Sequence, residues 1–215
     1  MKQITVAVLL SGGVDSCVAV HLLCQQGYKP DLYYIYIGAD EKTEDSSCAS
    51  EDDLLVCQMM ARKYNLKFEV VNLHKDYHIK VVGYMMENVK KGFTPNSDVM
   101  CNRLVKFGVF DDEIGYRYDK IATGHYARIV ERDGFSWMAT AADRFKDQTD
   151  FLCRINVPVS HLMFPIGDLQ KHEVRRIAEE FDIPSAKRKD SQGICFLGKI
   201  NFSEFLKAHV GEKEG

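Results

Sequence analysis

No apolar run in the chain is long enough to span a bilayer, and the opening Met-Lys-Gln-Ile-Thr lacks the charged-then-apolar plan of a secretory signal. Both absences point to a cytoplasmic protein with no membrane partner. No Cys-x-x-Cys pair occurs. Seven irregularly spaced cysteines therefore suggest neither a disulfide framework nor structural zinc. Charge of either sign is not in excess, since 28 Lys and Arg stand against 31 Asp and Glu. Nothing drives the whole surface toward DNA, and any RNA contact has to come from local patches. Two common nucleotide loops are missing as well. There is no Gly-Lys-Ser/Thr of a Walker loop and no Gly-x-Gly-x-x-Gly of a dinucleotide site.

What is present is Ser11-Gly12-Gly13-Val14-Asp15-Ser16, directly after the apolar run Ile4–Leu10. Glycines let backbone N–H groups approach an anion, Ser11 and Ser16 add hydroxyl donors, and the helix that follows offers its positive end. The loop suits a polyphosphate. Asp15 can orient it or help hold Mg²⁺ on the phosphates.

With 215 residues, the chain can bury a full core. Strand and helix signals alternate: a strand at Ile4–Leu10, a helix from Ser16 to Gln26, a strand at Asp31–Ile37, and a helix from Ser50 to Tyr64. Ser50 with Asp53 three residues on resembles a capping box. A strand at Lys67–Leu73, helices over 75–91 and 102–116, and a strand at Lys120–Thr123 follow. The alternation predicts a parallel α/β sheet, Rossmann-like, with helices on both faces and ligands beyond the strands' carboxyl ends. That rule gathers the Ser11–Ser16 loop, the 38–49 loop and Thr123-Gly124-His125 on one rim. Next come a hairpin about Arg132-Asp133-Gly134, helices near 148–155, 170–181 and 202–209, and the basic stretch 186–190.

Cys17, Cys24 and Cys57 lie among apolar residues and read as core filler, with packing also favoured for Cys48 and Cys153. Cys101 follows the loop Gly92–Met100 at the start of the 102–116 helix, where a thiol gains thiolate character; a buried first-turn cysteine is the plainer alternative. Cys195 follows Asp190-Ser191-Gln192-Gly193-Ile194 beside the basic stretch. Any pairing of the two must be made by the fold. His125 reads equally as a phosphate neighbour or a structural hydrogen-bonding group. Tyr33, Tyr34 and Tyr36 read as sheet packing, and Ile35 as a residue near an adenine.

Ser-Gly-Gly-x-Asp-Ser resembles the signature of the PP-loop ATP pyrophosphatase superfamily, whose members adenylate a carbonyl or carboxyl oxygen and release pyrophosphate. Four further motifs then occur in order: Gly-Phe-Thr-Pro-Asn-Ser-Asp-Val-Met-Cys-Asn, Ala-Thr-Gly-His-Tyr-Ala-Arg, Lys-Asp-Gln-Thr and Asp-Ser-Gln-Gly-Ile-Cys-Phe. With the loop they resemble the bacterial tRNA-specific 2-thiouridylase family from the first strand to about Gly198. The resemblance implies that Leu9, Leu10, Ser11, Gly12, Gly13, Val14, Asp15, Ser16 and Gly124 bind ATP, with Mg²⁺ carried on the nucleotide and no tightly bound cofactor. It implies that Cys195 accepts persulfide sulfur from a donor protein and that Cys101 forms a disulfide with it as sulfur is delivered. Asn96, Ser97 and Asp98 would contact the target base in the tRNA anticodon loop, and Lys146, Asp147 and Gln148 would form a second tRNA-contacting segment. The expected domain is 1–198, with 199–215 opening a truncated central domain. Ser97 stands where the family commonly has proline.

Two other functions fit part of the sequence. Another PP-loop adenylating enzyme, an amidating synthetase, would need an ammonia-delivering partner and would leave Cys195 dispensable. A non-catalytic nucleotide-binding or sulfur-carrying module would keep the fold without the tRNA grip.

Overall fold

The computed structural model describes residues 4–38 and 47–190. Five strands form one parallel sheet in the order β3-β2-β1-β4-β7. They are β1 (Val6–Leu9), β2 (Asp31–Tyr36), β3 (Phe68–Asn72), β4 (Lys120–Thr123) and β7 (Leu162–Met163). A separate antiparallel hairpin joins β5 (Ala127–Arg132) to β6 (Phe135–Thr140). Asp133 and Gly134, with φ of 53° and 77°, make the tight turn that the sequence signals.

Side chains on β1 alternate between two cores, as a strand buried on both faces must. Val6 and Val8 join a cluster with α1 (Val14–Gln25), α2 (Ser47–Tyr64) and α8 (Lys171–Glu180). Ala7 and Leu9 join the opposite cluster. There they meet α3 (His74–Tyr77), α4 (Gly83–Lys90), α5 (Ser97–Cys101), α6 (Phe110–Glu113) and α7 (Thr149–Leu152). Helices therefore cover both faces, as the alternation predicts. The sequence places apolar residues on one side of α1. Instead, Val14, Ser16 through His21 and Leu23 are all buried, because α1 lies between the sheet and α2 and α8.

The structure departs from the sequence reading in several places. Helix α2 starts at Ser47, so Asp53 lies inside it and caps nothing. The 102–116 helix begins earlier, at Ser97, and continues as π-helical turns over Asn102–Val109 with a kink at Phe107. Strand β7 was not expected; two residues before a proline carry no period to recognise. Cys153, expected to pack, is exposed. Most of the 38–49 loop, the 202–209 helix, the domain boundary at 198 and Cys195 lie outside the described residues, and of Cys48 only the backbone, within α2, is described. Among the described residues no helix is long and apolar enough to cross a membrane.

Candidate active site

The strand order reverses at β1, with β2 and β3 on one side and β4 and β7 on the other. A parallel sheet opens a crevice at such a point, beyond the carboxyl ends of the two strands that diverge. Ser11–Ser16 leaves β1 there and Gly124 leaves β4 beside it. The contact is direct: a Cβ on Gly124 would stand 2.6 Å from the Ser16 nitrogen. Helix α1 starts from Gly13 with no side-chain cap, so its first N–H groups face the crevice without an internal acceptor. The Ser16 hydroxyl donates to the Gly13 carbonyl at 3.0 Å and accepts from the Ser11 N–H at 3.2 Å. Ser11 Oγ lies 3.1 Å from Ser16 Oγ. Gly12 takes a φ of +76°, and a Cβ there would meet the Asp53 carbonyl oxygen at 2.9 Å. The loop is thus shaped for an anion and locked from behind by α2.

Charged groups tie the loop to the chain's later part. Lys171 Nζ donates to both Asp15 oxygens, at 2.7 and 2.8 Å, and also reaches Asp190 at 2.8 Å. The Tyr126 hydroxyl donates to Asp15 at 2.9 Å. Asp190 further accepts from Lys146 at 2.8 Å and Arg175 at 2.5 Å. Burial alone would raise the Asp190 carboxyl, but the Lys146 and Lys171 hydrogen bonds and charges outweigh it and hold it well below the usual carboxylate range. Arg188 donates to the Gly12 carbonyl at 3.1 Å and to Asp53 at 2.6 Å. The sequence pointed to the basic stretch but not to Asp53, Tyr126, Lys171 or Arg175. One signal was readable: Lys171 opens a helix, where a cation opposes the dipole unless its ammonium is used elsewhere.

Asn96 caps α5, its side-chain oxygen accepting from the Asp98 and Val99 N–H groups at 3.0 and 3.1 Å. Ser97 fills the first helical position, the one proline suits best, so its presence leaves the turn intact. Burial raises the Asp98 carboxyl, partly countered by Lys106. Cys101 sits a full turn inside the helix, not at its start, and is 6% exposed within the cluster that contains Leu9. Helix α5 packs on α7, and Asn102 donates to the Phe151 carbonyl at 3.1 Å. The fold so brings Asn96–Asp98 and Lys146–Gln148 to neighbouring elements. Ile35 lies on β2, part-buried against the cluster holding Tyr33, and Tyr33 and Tyr34 pack the sheet as expected. Burial pushes the Cys17 thiol up to about 11 and raises those of Cys24 and Cys57, which fits core filler.

His125 Nδ1 lies 2.8 Å from the Thr123 hydroxyl, and the ring sits between Phe107 and Phe164. Burial, then Lys106, pushes its proton affinity well below that of a free imidazole; burial, then Lys63, lowers that of His21. Below about pH 6.5 the unfolded chain therefore binds protons at these two sites more readily than the folded one. Their contribution is complete above that unfolded value and is lost as pH falls from it through the lowered folded values. Urea unfolding of His125→Asn at neutral pH and near pH 5 should show a smaller acid loss than the parent. Equal losses would refute the assignment.

The family described as the tRNA methyl transferase HUP domain matches residues 4–199. The chain belongs to this family. The chain is 56% identical over 211 residues to tRNA-specific 2-thiouridylase MnmA 1 of Bacteroides thetaiotaomicron, covering 98% of this chain and 59% of that protein. It is 54% identical over the same length to tRNA-specific 2-thiouridylase MnmA of Porphyromonas gingivalis, covering 98% and 58%. The chain thus spans less than two thirds of these relatives. Among solved structures, the HUP domain resembles NMN synthetase from Francisella tularensis (TM-score 0.52, 14% identity, covering 99% of this chain and 79% of that one). It also resembles glutamine-dependent NAD+ synthetase from Acinetobacter baumannii (TM-score 0.55, 12% identity, covering 88% and 33%). At such identities the likeness concerns the fold alone.

Proposed function

We propose that this HUP domain is the activating and sulfur-transferring part of a cytoplasmic tRNA-uridine 2-sulfurtransferase. The observation that carries the proposal is the uncapped start of α1 and its Ser-Gly-Gly loop at the switch point of the sheet, in a chain that also holds Cys101 and Cys195 in thiouridylase-like motifs. ATP is the substrate this site fits. The open N–H groups and the Ser11 and Ser16 hydroxyls suit its phosphates, and Asp15 would hold the Mg²⁺ accompanying them by giving up its bonds to Lys171 and Tyr126.

In the proposed reaction O2 of the wobble uridine attacks the α-phosphate and pyrophosphate leaves. A persulfide on Cys195, loaded by a donor protein, attacks C2 with its terminal sulfur, and AMP leaves with the oxygen. The Cys101 thiolate then attacks the Cys195 Sγ, releasing 2-thiouridine and forming a Cys101–Cys195 disulfide. The cysteine pair is oxidised by two electrons and must be reduced before the next turnover. Activation is needed because a carbonyl oxygen leaves poorly whereas AMP leaves readily. The target base must be unstacked to reach the site.

The test is ATP-dependent formation of 2-thiouridine in anticodon-loop RNA, read by nucleoside mass spectrometry with a persulfide donor. It should compare this chain with one extended to the relatives' length. Cys101→Ser and Cys195→Ser should each abolish the product while ATP binding stays within about twofold of the parent. Full thiolation by either variant defeats the two-cysteine mechanism. ATP-dependent incorporation of ammonia that ignores Cys195→Ser would instead identify an amidating synthetase.

A further inference from the structure

The 146–148 segment, expected to meet tRNA, spends its side chains within the protein. Lys146 pairs with Asp190 at 2.8 Å. Asp147 accepts from the Ala141 N–H at 2.7 Å and the Thr149 hydroxyl at 2.6 Å. Gln148 accepts from the Tyr126 N–H at 3.0 Å. The two residues just before them do the opposite. Phe145 is fully exposed, at 101%, and Arg144 is exposed with no hydrogen bond or ion pair among the described residues. The turn that projects them is firmly held. Asp143, 6% exposed, accepts from the N–H groups of Phe145, Lys146 and Lys171 at 3.0, 3.2 and 2.9 Å.

A ring with both faces in water contributes nothing to the core, yet three hydrogen bonds fix the turn beneath it. We infer that Phe145 is a stacking platform for an unpaired base of the RNA loop, with Arg144 meeting the phosphate beside it. The inference rests on the tRNA reading proposed above and names where that RNA is held. Three features favour RNA over a protein partner. Phe145 is preceded by the exposed cation of Arg144. It stands as a single open plate, and base–aromatic stacking needs one π-face, whereas protein hot spots sit in well-packed clusters. Its turn is linked through Lys146, Asp190 and Lys171 to Asp15 of the Ser11–Ser16 loop, so the plate and the proposed activation site share one network of ion pairs. When one base is drawn into a site its neighbours lose their stack, and a fixed aromatic plate replaces it.

The experiment measures anisotropy of a fluorescein-labelled anticodon stem-loop RNA, with ATP titration and thermal unfolding as controls. Phe145→Ala should weaken RNA binding about tenfold and Phe145→Trp should keep or tighten it, because stacking depends on the ring face. ATP affinity and melting temperature should not change. Binding by the parent with no loss in Phe145→Ala, or full rescue by Phe145→Leu, overturns the platform and leaves the tRNA reading standing. Loss of sulfur uptake from the donor protein with RNA binding intact reassigns the ring to a protein contact. No RNA binding by a parent extended to the relatives' length overturns both readings together.

Discussion

Gly124→Ala should abolish measurable ATP binding, weakening it by at least about a hundredfold. A Cβ at this position would lie 2.6 Å from the Ser16 nitrogen and 2.8 Å from both the Asp15 carbonyl carbon and the Ser16 Cα. These are backbone atoms of the first turn of α1. No side-chain rotation relieves the overlap, so the helix start must move away from β4. That start is the proposed phosphate cradle. Overpacking of this kind costs about 1–3 kcal/mol of stability. The control is Gly13→Ala, whose new methyl would approach nothing closer than the Ser11 Oγ at 3.4 Å and whose φ of −73° suits any residue. Thermal unfolding and ATP titration of both variants check the claim. Normal ATP affinity in Gly124→Ala would show that the crevice between β1 and β4 is not the nucleotide site.

Much of this geometry was legible in the sequence, and the reason is local. The β1 strand, the glycine pair and the serines are adjacent, so one short stretch specifies a loop, its conformation and the polar groups it presents. Alternation of strands and helices then places Gly124 on the same rim without any knowledge of contacts. The boundaries that shifted did so where tertiary contacts outweigh local preference. Ser50 and Asp53 look like a cap, but Asp53 is recruited by Arg188, 135 residues away, and the helix starts a turn sooner. Asn96, read only as a base contact, is the cap of α5, and this moves Cys101 from the helix start into a buried turn. The network around Asp15 was invisible because its members are 111 to 156 residues away from it. No periodicity reports a pairing over that separation. The only trace was a lysine at the wrong end of a helix.

Lys171 is the centre of that network, and Lys171→Met should have the second large effect. The ammonium, 15% exposed, is shared by Asp15 and Asp190, whose side chains are 30% and 29% exposed. Methionine conserves the stem and removes the charge, leaving two half-buried carboxylates facing each other. Removing one partner of a fully buried pair costs about 3–5 kcal/mol; partial solvation here reduces the expected loss to about 2 kcal/mol. The sign of the pH dependence follows from Asp190. Its carboxyl titrates below the ordinary value when folded, burial being outweighed by Lys146 and Lys171. Its contribution is therefore complete above about pH 4 and lost as pH falls through the folded value. The gap between parent and Lys171→Met should be widest near neutrality and should narrow as pH falls from about 4 through the lowered folded value, as the carboxyl takes up a proton and no longer needs the ammonium. Lys171→Met combined with Asp190→Asn should recover part of the loss, a coupling that two independent sites would not show. Denaturant unfolding across pH provides the measurement. A gap that is the same in acid as at neutrality, or a double variant whose losses simply add, would mean that Lys171 stabilises α8 by packing and leaves the charge of the phosphate loop alone.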